Sequence, residues 1–369
     1  MGKMTVPIIS GLFLLLTGVG LSIVMTSPAL ASCGSVTCFV VIGSQQQVAP
    51  VGLLTVNAFY NYTRQGTLLN GTTGIIPAVD VDNRQLILDH HREIRTISQT
   101  YTLDFNYGVT EWFGLQVTLP YVRRKHQHVD GLGEAINGGD GQLTRFSDNG
   151  IGDIFVAAKY NALPALRSML VTTFGVYLPT GDWRQKTAGA SGDAETMEPT
   201  AQLGRGQVGL QGMIYQTYEI LPHRLNQFAS ALYRHTFRNN FGYQFGDQFD
   251  FNFGVNLVTV PWFVLTSQFN YRYMVHDSFS GSLARSRNSN DSPFPGEPIP
   301  IDDNIKNRAV PTTGSTYFAY TPGFLINLGQ STQLYFFSQI PLARDFNNNL
   351  AQGVSFVFGI TQYFQVSKS

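Results

Sequence analysis

The amino-acid sequence predicts an all-β fold, a transmembrane antiparallel up-and-down β-barrel of about 12 strands. Twelve segments alternate apolar and polar side chains, and the connections between successive segments alternate between long and short. An outer-membrane barrel has short periplasmic turns, long external loops and strands whose lipid-facing and lumen-facing residues alternate. A soluble barrel has no comparable reason to keep its two ends unequal. The alternation of loop lengths therefore favours the membrane-spanning class.

The composition agrees with strands that have one apolar and one polar face. Charged residues make up 13% of the chain, about half of the usual share, while aromatic residues also reach 13% and glycine occurs 37 times. The mean hydropathy of −0.03 argues against a helical membrane protein. The formal net charge is zero, so the sequence offers no electrostatic basis for a nucleic-acid partner.

The start of the chain reads as an export signal, predicted over residues 1–31. Lys3 supplies the positive charge, residues 6–25 form the apolar stretch, and residues 29–31 have the small residues of a cleavage site. Residues 32–52 are then predicted to be a periplasmic N-terminal segment. An exported protein of this kind is expected in the bacterial outer membrane.

Both cysteines of the chain, Cys33 and Cys38, directly follow this cleavage site. In an oxidising periplasm they are expected to form a disulfide that closes a small loop. The alternative is lipidation, because residues 30–33 resemble a bacterial lipobox that would place an acyl anchor on Cys33. The motif for covalent haem attachment is absent from this segment, and no cofactor is predicted.

The barrel domain is predicted over residues 53–364. The connections after strands 2, 4, 6, 8 and 10 are short, whereas those after strands 1, 3, 5 and 9 run to tens of residues. The long loops mark the external side, so the odd-numbered strands are expected to run outward. The predicted strands are residues 53–62, 94–107, 113–122, 151–161, 168–178, 205–218, 227–237, 247–259, 263–275, 315–328, 331–340 and 353–364.

The eighth predicted strand shows the two faces of a barrel wall. A period of two with one apolar face requires that this face meet lipid or a second sheet. A soluble β-sandwich is the alternative, but it leaves the loop lengths and the aromatic excess unexplained. In this strand Phe249, Phe251, Phe253, Val255 and Leu257 alternate with Gln248, Asp250, Asn252 and Asn256.

The polar faces are expected to line the lumen. Arg234, Asp250 and Arg272 come from three successive strands at similar distances from the connecting turns, so they should be lateral neighbours. Two arginines that flank one aspartate would make a constriction that favours anions or polar solutes. The alternative is a ladder of ion pairs that only stiffens the wall. The full set of candidate lumen residues is Arg234, Asp250, Arg272, Asp104, Asp153, Lys159 and Arg205.

Four histidines flank the hairpin of the second and third strands. His90 and His91 precede it and His126 and His128 follow it, so the four should meet at the external rim. On an extended chain, His-x-His places both rings on one face, and imidazole is a ligand for zinc, copper or nickel. The sequence thus offers a candidate metal site. A hydrogen-bonded polar cluster is the alternative, because the basic residues at 92 and 123–125 oppose a cation.

Catalysis is not predicted. Residues 276–278, His-Asp-Ser, have the His-x-Ser spacing of an outer-membrane phospholipase that also has twelve strands. The residues that surround this pair in the phospholipase family are not recognisable here. An isolated match of three residues arises by chance, so the chain is expected not to be an enzyme.

The middle of the chain resembles a known family. The matching motifs are Gly150-Ile151-Gly152-Asp153-Ile154 leading to Lys159-Tyr160, then Tyr177-Leu178-Pro179-Thr180-Gly181-Asp182, then Gly204-Arg205-Gly206-Gln207. They resemble the outer-membrane transporter family associated with the phenol meta-cleavage degradation pathway, and the layout agrees over residues 95–364. The resemblance implies an outer-membrane barrel that admits aromatic or other small hydrophobic compounds. It assigns no individual residue to substrate binding.

The last predicted strand ends on Tyr363 and Phe364, and a short C-terminal tail of residues 365–369 follows. This ending resembles the aromatic signal that barrel-assembly machinery recognises during biogenesis. The leading hypothesis is an outer-membrane channel for passive uptake of small solutes, with outer-membrane lipid and the solute as its other partners. The second hypothesis is a non-conducting surface barrel whose external loops bind a ligand, a metal or a partner.

Overall fold

Twelve long antiparallel strands form the wall of the molecule. A computed structural model describes residues 46–366 except residues 83, 131–141, 164, 166, 189–193, 281, 285–297 and 300–307. The predicted export signal, Cys33 and Cys38 lie outside the described residues. The strands are β1 (Leu53–Thr67), β2 (Gln85–Gly108), β3 (Phe113–Asp130), β4 (Gln142–Ile151 continued by Ile154–Asn161), β5 (Ser168–Leu178), β6 (Gly209–Leu221), β7 (Leu225–Thr236), β8 (Gln248–Val260), β9 (Phe263–Met274), β10 (Ser315–Leu328), β11 (Thr332–Asp345) and β12 (Ser355–Gln365).

The sheet closes on itself. Each strand pairs with its neighbours in the sequence, and β1 pairs both with β2 and with β12, from Leu53 opposite Gln365 to Tyr62 opposite Phe356. Closure leaves no unpaired sheet edge, which a wall surrounded by lipid requires. The predicted fold class, a transmembrane barrel of twelve antiparallel strands, is confirmed.

No helix within the described part of the chain is long and apolar enough to cross a membrane.

The hairpin of β2 and β3 is much longer than predicted. The period-two pattern predicts its strands at 94–107 and 113–122, but they extend to Gln85 and Asp130. The upper part of β2 pairs with β3 on one side and with the short strand Ile75–Asp80 on the other. These pairings satisfy the backbone hydrogen-bonding groups above the rest of the barrel. Polar residues on both faces conceal this extension from the period-two pattern.

The starts of β4 and β6 also differ from the prediction, and β1 and β11 each end five residues later than predicted, at Thr67 and Asp345. β4 begins at Gln142 rather than 151, because its first part pairs with the upper half of β3. β6 begins at Gly209 rather than 205, since Gly206 has a φ of 69° and lies against the ring of Trp183. A side chain at Gly206 would overlap that ring, so the chain turns there before it enters the wall.

The outer face of the wall is apolar. Phe174 and Phe358 are more than half exposed at the middle of the wall, and Trp112, Tyr160 and Trp262 are exposed at the short-turn end. A lipid cover stabilises each large apolar side chain by roughly 1.5–3 kcal/mol relative to water. Aromatic residues at one level match the girdle found at a membrane interface.

On the inner face, glycines make room for aromatic rings of neighbouring strands. A Cβ atom built on Gly323 would lie 2.2 Å from a ring carbon of Phe337, and one on Gly359 would lie 2.3 Å from the Tyr335 ring. Each glycine is the direct cross-strand partner of its aromatic residue. The rings therefore lie flat against the wall instead of standing across the lumen.

Candidate transport path in the barrel interior

Basic and acidic side chains line the external half of the lumen on one side. Asp250 and Arg272 are direct cross-strand partners on β8 and β9. Arg234 on β7 faces Gln248 rather than Asp250, so it is a diagonal neighbour of that carboxylate. All three side chains are at most 6% exposed. The structure thus brings together the three residues that sequence spacing placed in one row.

Aromatic rings hold both arginines of this row. The guanidinium carbon of Arg234 lies 3.6 Å from the centre of the Tyr177 ring, and that of Arg272 lies 5.5 Å from the centre of the Tyr317 ring. Such cation–π contacts contribute about 0.5–2 kcal/mol, with the larger values where water is excluded. Arg272 also donates a hydrogen bond of 3.1 Å to Gln352.

The remaining candidate lumen residues form two further groups. Asp153 accepts hydrogen bonds from the backbone amides of Arg205 and Gly181, at 2.9 and 3.1 Å, in the external half. Lys159 donates to Asn106 at 2.5 Å, near the short turns. Asp104 accepts from Asn106 and Thr118, both at 2.5 Å, in the same group. Asp104 and Lys159 are therefore not part of the row that contains Arg234.

The external end of the lumen is covered by loops, and we call this cover the cap. Short strands Tyr243–Gln244, Ser278–Phe279 and Arg308–Ala309 form a separate sheet within it. Seven buried apolar residues join this sheet to the hairpin formed by Ile75–Asp80 and the start of β2. The buried apolar cluster of the cap consists of Val79, Val81, Leu86, Tyr243, Phe245, Phe279 and Val310.

A buried carboxylate ties the cap together. Asp277 is 3% exposed and accepts hydrogen bonds from the Tyr243 hydroxyl and from the backbone amide of Gly246. Burial raises the pKa of the Asp277 carboxyl above its usual range, while these hydrogen bonds act in the opposite direction. Asp277 is the centre of the His-Asp-Ser match, and its contacts give it a structural role in the cap.

The N-terminal segment occupies the opposite end of the lumen. Within the predicted N-terminal segment, Val48 is 7% exposed and packs against inward-facing residues of the wall. A Cβ atom at Gly108 would lie 2.2 Å from the carbonyl oxygens of Ala49 and Pro50, so glycine at this position allows the segment to enter. The buried cluster that contains Val48 also includes Val171, Met213, Tyr215 and Phe228.

The interior between these two ends is filled by side chains. Gln268, Asn270, Thr321 and Gln339 point inward from β9, β10 and β11, and each is 0% exposed. A cavity of about 20 Å³ beneath the cap, beside Glu93 and Glu198, is no larger than a water molecule requires. Passage of a solute therefore requires the movement of side chains, the cap or the N-terminal segment.

The histidine cluster lies at the external end, inside the wall. His91, His126 and His128 come together from β2 and β3, with the Nε2 atom of His126 2.9 Å from the Nδ1 atom of His128. The side chain of His90 lies outside the described residues. Glu93, which the sequence pattern assigned to no site, lies 3.4 Å from both His91 and His126.

The sequence of this chain matches a known protein family. A family model described as "Putative MetA-pathway of phenol degradation" matches residues 89–292, more than half of the chain. The matched part begins just before the histidines of β2 and includes the row of Arg234, Asp250 and Arg272. The chain belongs to this family. The resemblance inferred from the motifs near Gly150 and Tyr177 is thereby confirmed. No curated protein sequence matches the chain.

A solved structure with a TM-score above 0.5 has a similar fold. An outer membrane channel from Pseudomonas putida F1 is 12% identical and has a TM-score of 0.54, with 88% of this chain and 100% of that chain covered. A deletion mutant of the monoaromatic hydrocarbon channel TodX is 11% identical, with a TM-score of 0.43 and coverage of 85% and 90%. The porin NanC is 8% identical, with a TM-score of 0.39 and coverage of 84% and 98%.

Three partners of the lumen row were missed from the sequence. Tyr177 and Tyr317 hold the arginines, and Gln352 accepts the hydrogen bond from Arg272. Tyr177 lies two and four residues after the inward-facing Gly175 and Thr173, so the period of two in β5 predicts that Tyr177 also faces the lumen. Gln352 lies between β11 and β12 and carries no such signal.

Proposed function

We propose that the chain is an outer-membrane channel for passive uptake of small solutes, with aromatic or other hydrophobic compounds as the expected class. This proposal rests on the cation–π contacts of Arg234 and Arg272 with tyrosine rings on the inner wall. An aromatic solute with a hydroxyl or carboxylate group presents the same two features to such a wall, a ring face and a hydrogen-bonding group.

Apolar side chains continue this path toward the short-turn end. Leu325, Tyr335, Phe337 and Val357 form one buried cluster on β10 to β12, which faces into the lumen. The cluster around Val48 lies on the opposite wall. A hydrophobic solute that displaces these contacts lies against apolar side chains in their place. Its apolar surface therefore stays out of water along the path.

Reconstitution of the purified chain tests this function. We expect stepwise conductance in planar bilayers and entry of phenols into proteoliposomes at a higher rate than entry of sugars of similar mass. Liposomes without protein give the background rate, which matters because phenols also cross lipid. Equal rates for phenols and sugars, after this correction, would contradict the aromatic preference while leaving a channel in place.

The packed interior favours a second candidate, a non-conducting surface barrel whose external loops bind a ligand. The observation in its favour is the complete burial of Gln268, Asn270 and Thr321 together with the packed cap. Absence of conductance and of solute entry, from chains whose folding is shown by heat-modifiable migration on gels, would favour this candidate. No residue is proposed as catalytic.

A further inference from the structure

The histidine cluster at the external end has the composition of a metal centre. We propose that His91, His126 and His128 bind one divalent transition-metal ion of the zinc class, with the Glu93 carboxylate as the fourth ligand. The nitrogen atoms that the three imidazoles offer all lie within 4.8 Å of one another. Three imidazoles and one carboxylate are a donor set that suits tetrahedral zinc.

Strand pairing explains why these four side chains lie close together. Glu93 is the direct partner of His128, and Thr96 is the direct partner of His126. In a regular strand, residues three positions apart face opposite sides. A bulge between Glu93 and Arg95 inserts one extra residue, so Glu93 and Thr96 both face inward. Without the bulge, one of these two positions would point to the outside.

The environment of the Glu93 carboxylate indicates a site for a cation. Glu93 is 4% exposed, and its Oε2 atom accepts no hydrogen bond from the described residues. This atom lies 3.4 Å from Nε2 of His126, while Oε1 lies 3.4 Å from Nε2 of His91. A buried carboxylate without a compensating charge is costly, and a cation between the two rings would supply that charge.

Neighbouring polar groups orient the imidazoles for metal binding. The Nδ1 atom of His126 lies 2.8 Å from the Thr96 hydroxyl, which leaves its Nε2 atom facing the cluster. The Nδ1 atom of His91 lies 3.6 Å from the Glu198 carboxylate. Metal-bound histidines commonly donate their second ring N–H to a hydroxyl, carbonyl or carboxylate of this kind. The ring of Phe146, 4.7 Å from that of His126, covers one side of the cluster.

The basic residues nearby do not prevent cation binding. Arg92, Arg123 and Lys125 are exposed on the outer face of the hairpin, opposite to the cluster. Arg124 faces inward, but its guanidinium donates to the carbonyl oxygens of Thr200 and Gln202, at 3.0 and 3.1 Å. Glu93 and Glu198 together supply two negative charges beside the imidazoles. Three of the four basic residues therefore lie on the other face, and the two carboxylates offset the inward-facing charge of Arg124.

Titration of the untagged full chain with Zn²⁺ in detergent, by calorimetry, tests the site. We expect one equivalent to bind to the wild-type chain and its binding to be lost in His126→Gln and His128→Gln. The variant Thr96→Val keeps all four ligands and should weaken binding by about 10–100-fold. His223→Asn, in the exposed turn between β6 and β7, is the matched control and should bind as the wild type does.

Two further measurements distinguish binding at the histidines from binding at the cysteine thiols. Cys33→Ser with Cys38→Ser removes the thiols, and one equivalent should still bind. Co²⁺ should give the intense visible absorption of a tetrahedral site in the wild type and lose it in His126→Gln. Heat-modifiable migration shows that each variant is folded. A wild-type chain that binds no metal, or binding that survives His126→Gln but not the cysteine substitutions, would overturn the proposal.

Discussion

Single residues set the character of the lumen through their neighbours. Arg234 and Arg272 are both buried, yet each guanidinium lies over a tyrosine ring on the same inner wall. Burial of a charge without such contacts costs several kcal/mol, on the order of the whole stability margin of a typical domain. The rings and Asp250 therefore make it possible for this wall to keep its positive charges away from water.

Reversal of one charge in this row should change ion selectivity. The variant Arg272→Glu places a second carboxylate directly opposite Asp250 on the neighbouring strand. We expect the reversal potential in a salt gradient to shift toward cation selectivity, because anions lose a favourable charge at the wall. A change of about 1.4 kcal/mol in the barrier alters the rate of passage tenfold.

The control for this prediction is Arg167→Glu, which makes the same change of charge at an exposed position in the turn before β5. It should leave selectivity close to that of the wild type. If Arg272→Glu conducts with unchanged selectivity, the row is a structural ladder and does not act on permeating ions.

At the scale of the strands, glycines on the inner wall allow aromatic rings of adjacent strands to pack directly on the backbone. Gly175, Gly254, Gly323 and Gly359 each lie under an aromatic ring of an adjacent strand. The rings cover backbone that would otherwise face the lumen. The packing of the inner wall thus depends on glycine at these positions.

Alanine at two of these glycines should destabilise the barrel. In Gly323→Ala and Gly359→Ala the new methyl group overlaps Phe337 or Tyr335, and overpacking of this kind costs about 1–3 kcal/mol. The free energy of unfolding in urea, measured on barrels refolded into micelles or vesicles, gives the comparison. Gly212→Ala is the matched control, since a Cβ atom there meets nothing within 4 Å. Equal stabilities for all three variants would contradict this account of the inner wall.

The N-terminal segment should restrict conductance. The variant Val48→Asp places a carboxylate in the buried cluster that contains Val171, Met213 and Phe228, where burial of a charge is costly. We expect the segment to leave the lumen and single-channel conductance to rise. Pro50→Asp introduces the same charge at an exposed residue of the segment and should leave the conductance unchanged. A lower conductance in Val48→Asp would show that the segment is not what limits passage.

At the scale of the whole molecule, the sequence predicted the wall better than what fills it. The period of two and the loop lengths identify all twelve strands because both follow directly from a closed sheet with lipid on one face. The cap is held by contacts such as that between Tyr243 and Asp277, which join loops distant in the sequence. The stacking of Arg234 on Tyr177 skips one strand, so pairs of adjacent strands do not reveal it. The extra residue between Glu93 and Arg95 interrupts the period of two, so the sequence pattern did not predict that Glu93 faces inward.

The cap should loosen when its buried carboxylate is removed. Asp277→Ala leaves the Tyr243 hydroxyl and the Gly246 amide without their acceptor, at a cost of about 1–3 kcal/mol for each buried group. Limited proteolysis in detergent should then cleave the loop after β9 faster than in the wild type, while the barrel remains heat-modifiable. Asp247→Ala removes a half-buried carboxylate that binds Tyr233 and His235 and should cause no such acceleration. Equal cleavage rates in the two variants would argue against a cap held by Asp277.

The described contacts of the loop after β9 include two sets at different parts of the external rim. Near its start, Asp277 is joined to Tyr243, and farther along, Ser282–Ala284 runs parallel to the upper end of β2. The Gly246 amide, which donates to Asp277, lies just before β8, so the two sets of contacts lie at β8 and at β2. A loop held at both strands stays near the external end of the lumen when only one set of contacts is released, so access from outside depends on both sets together.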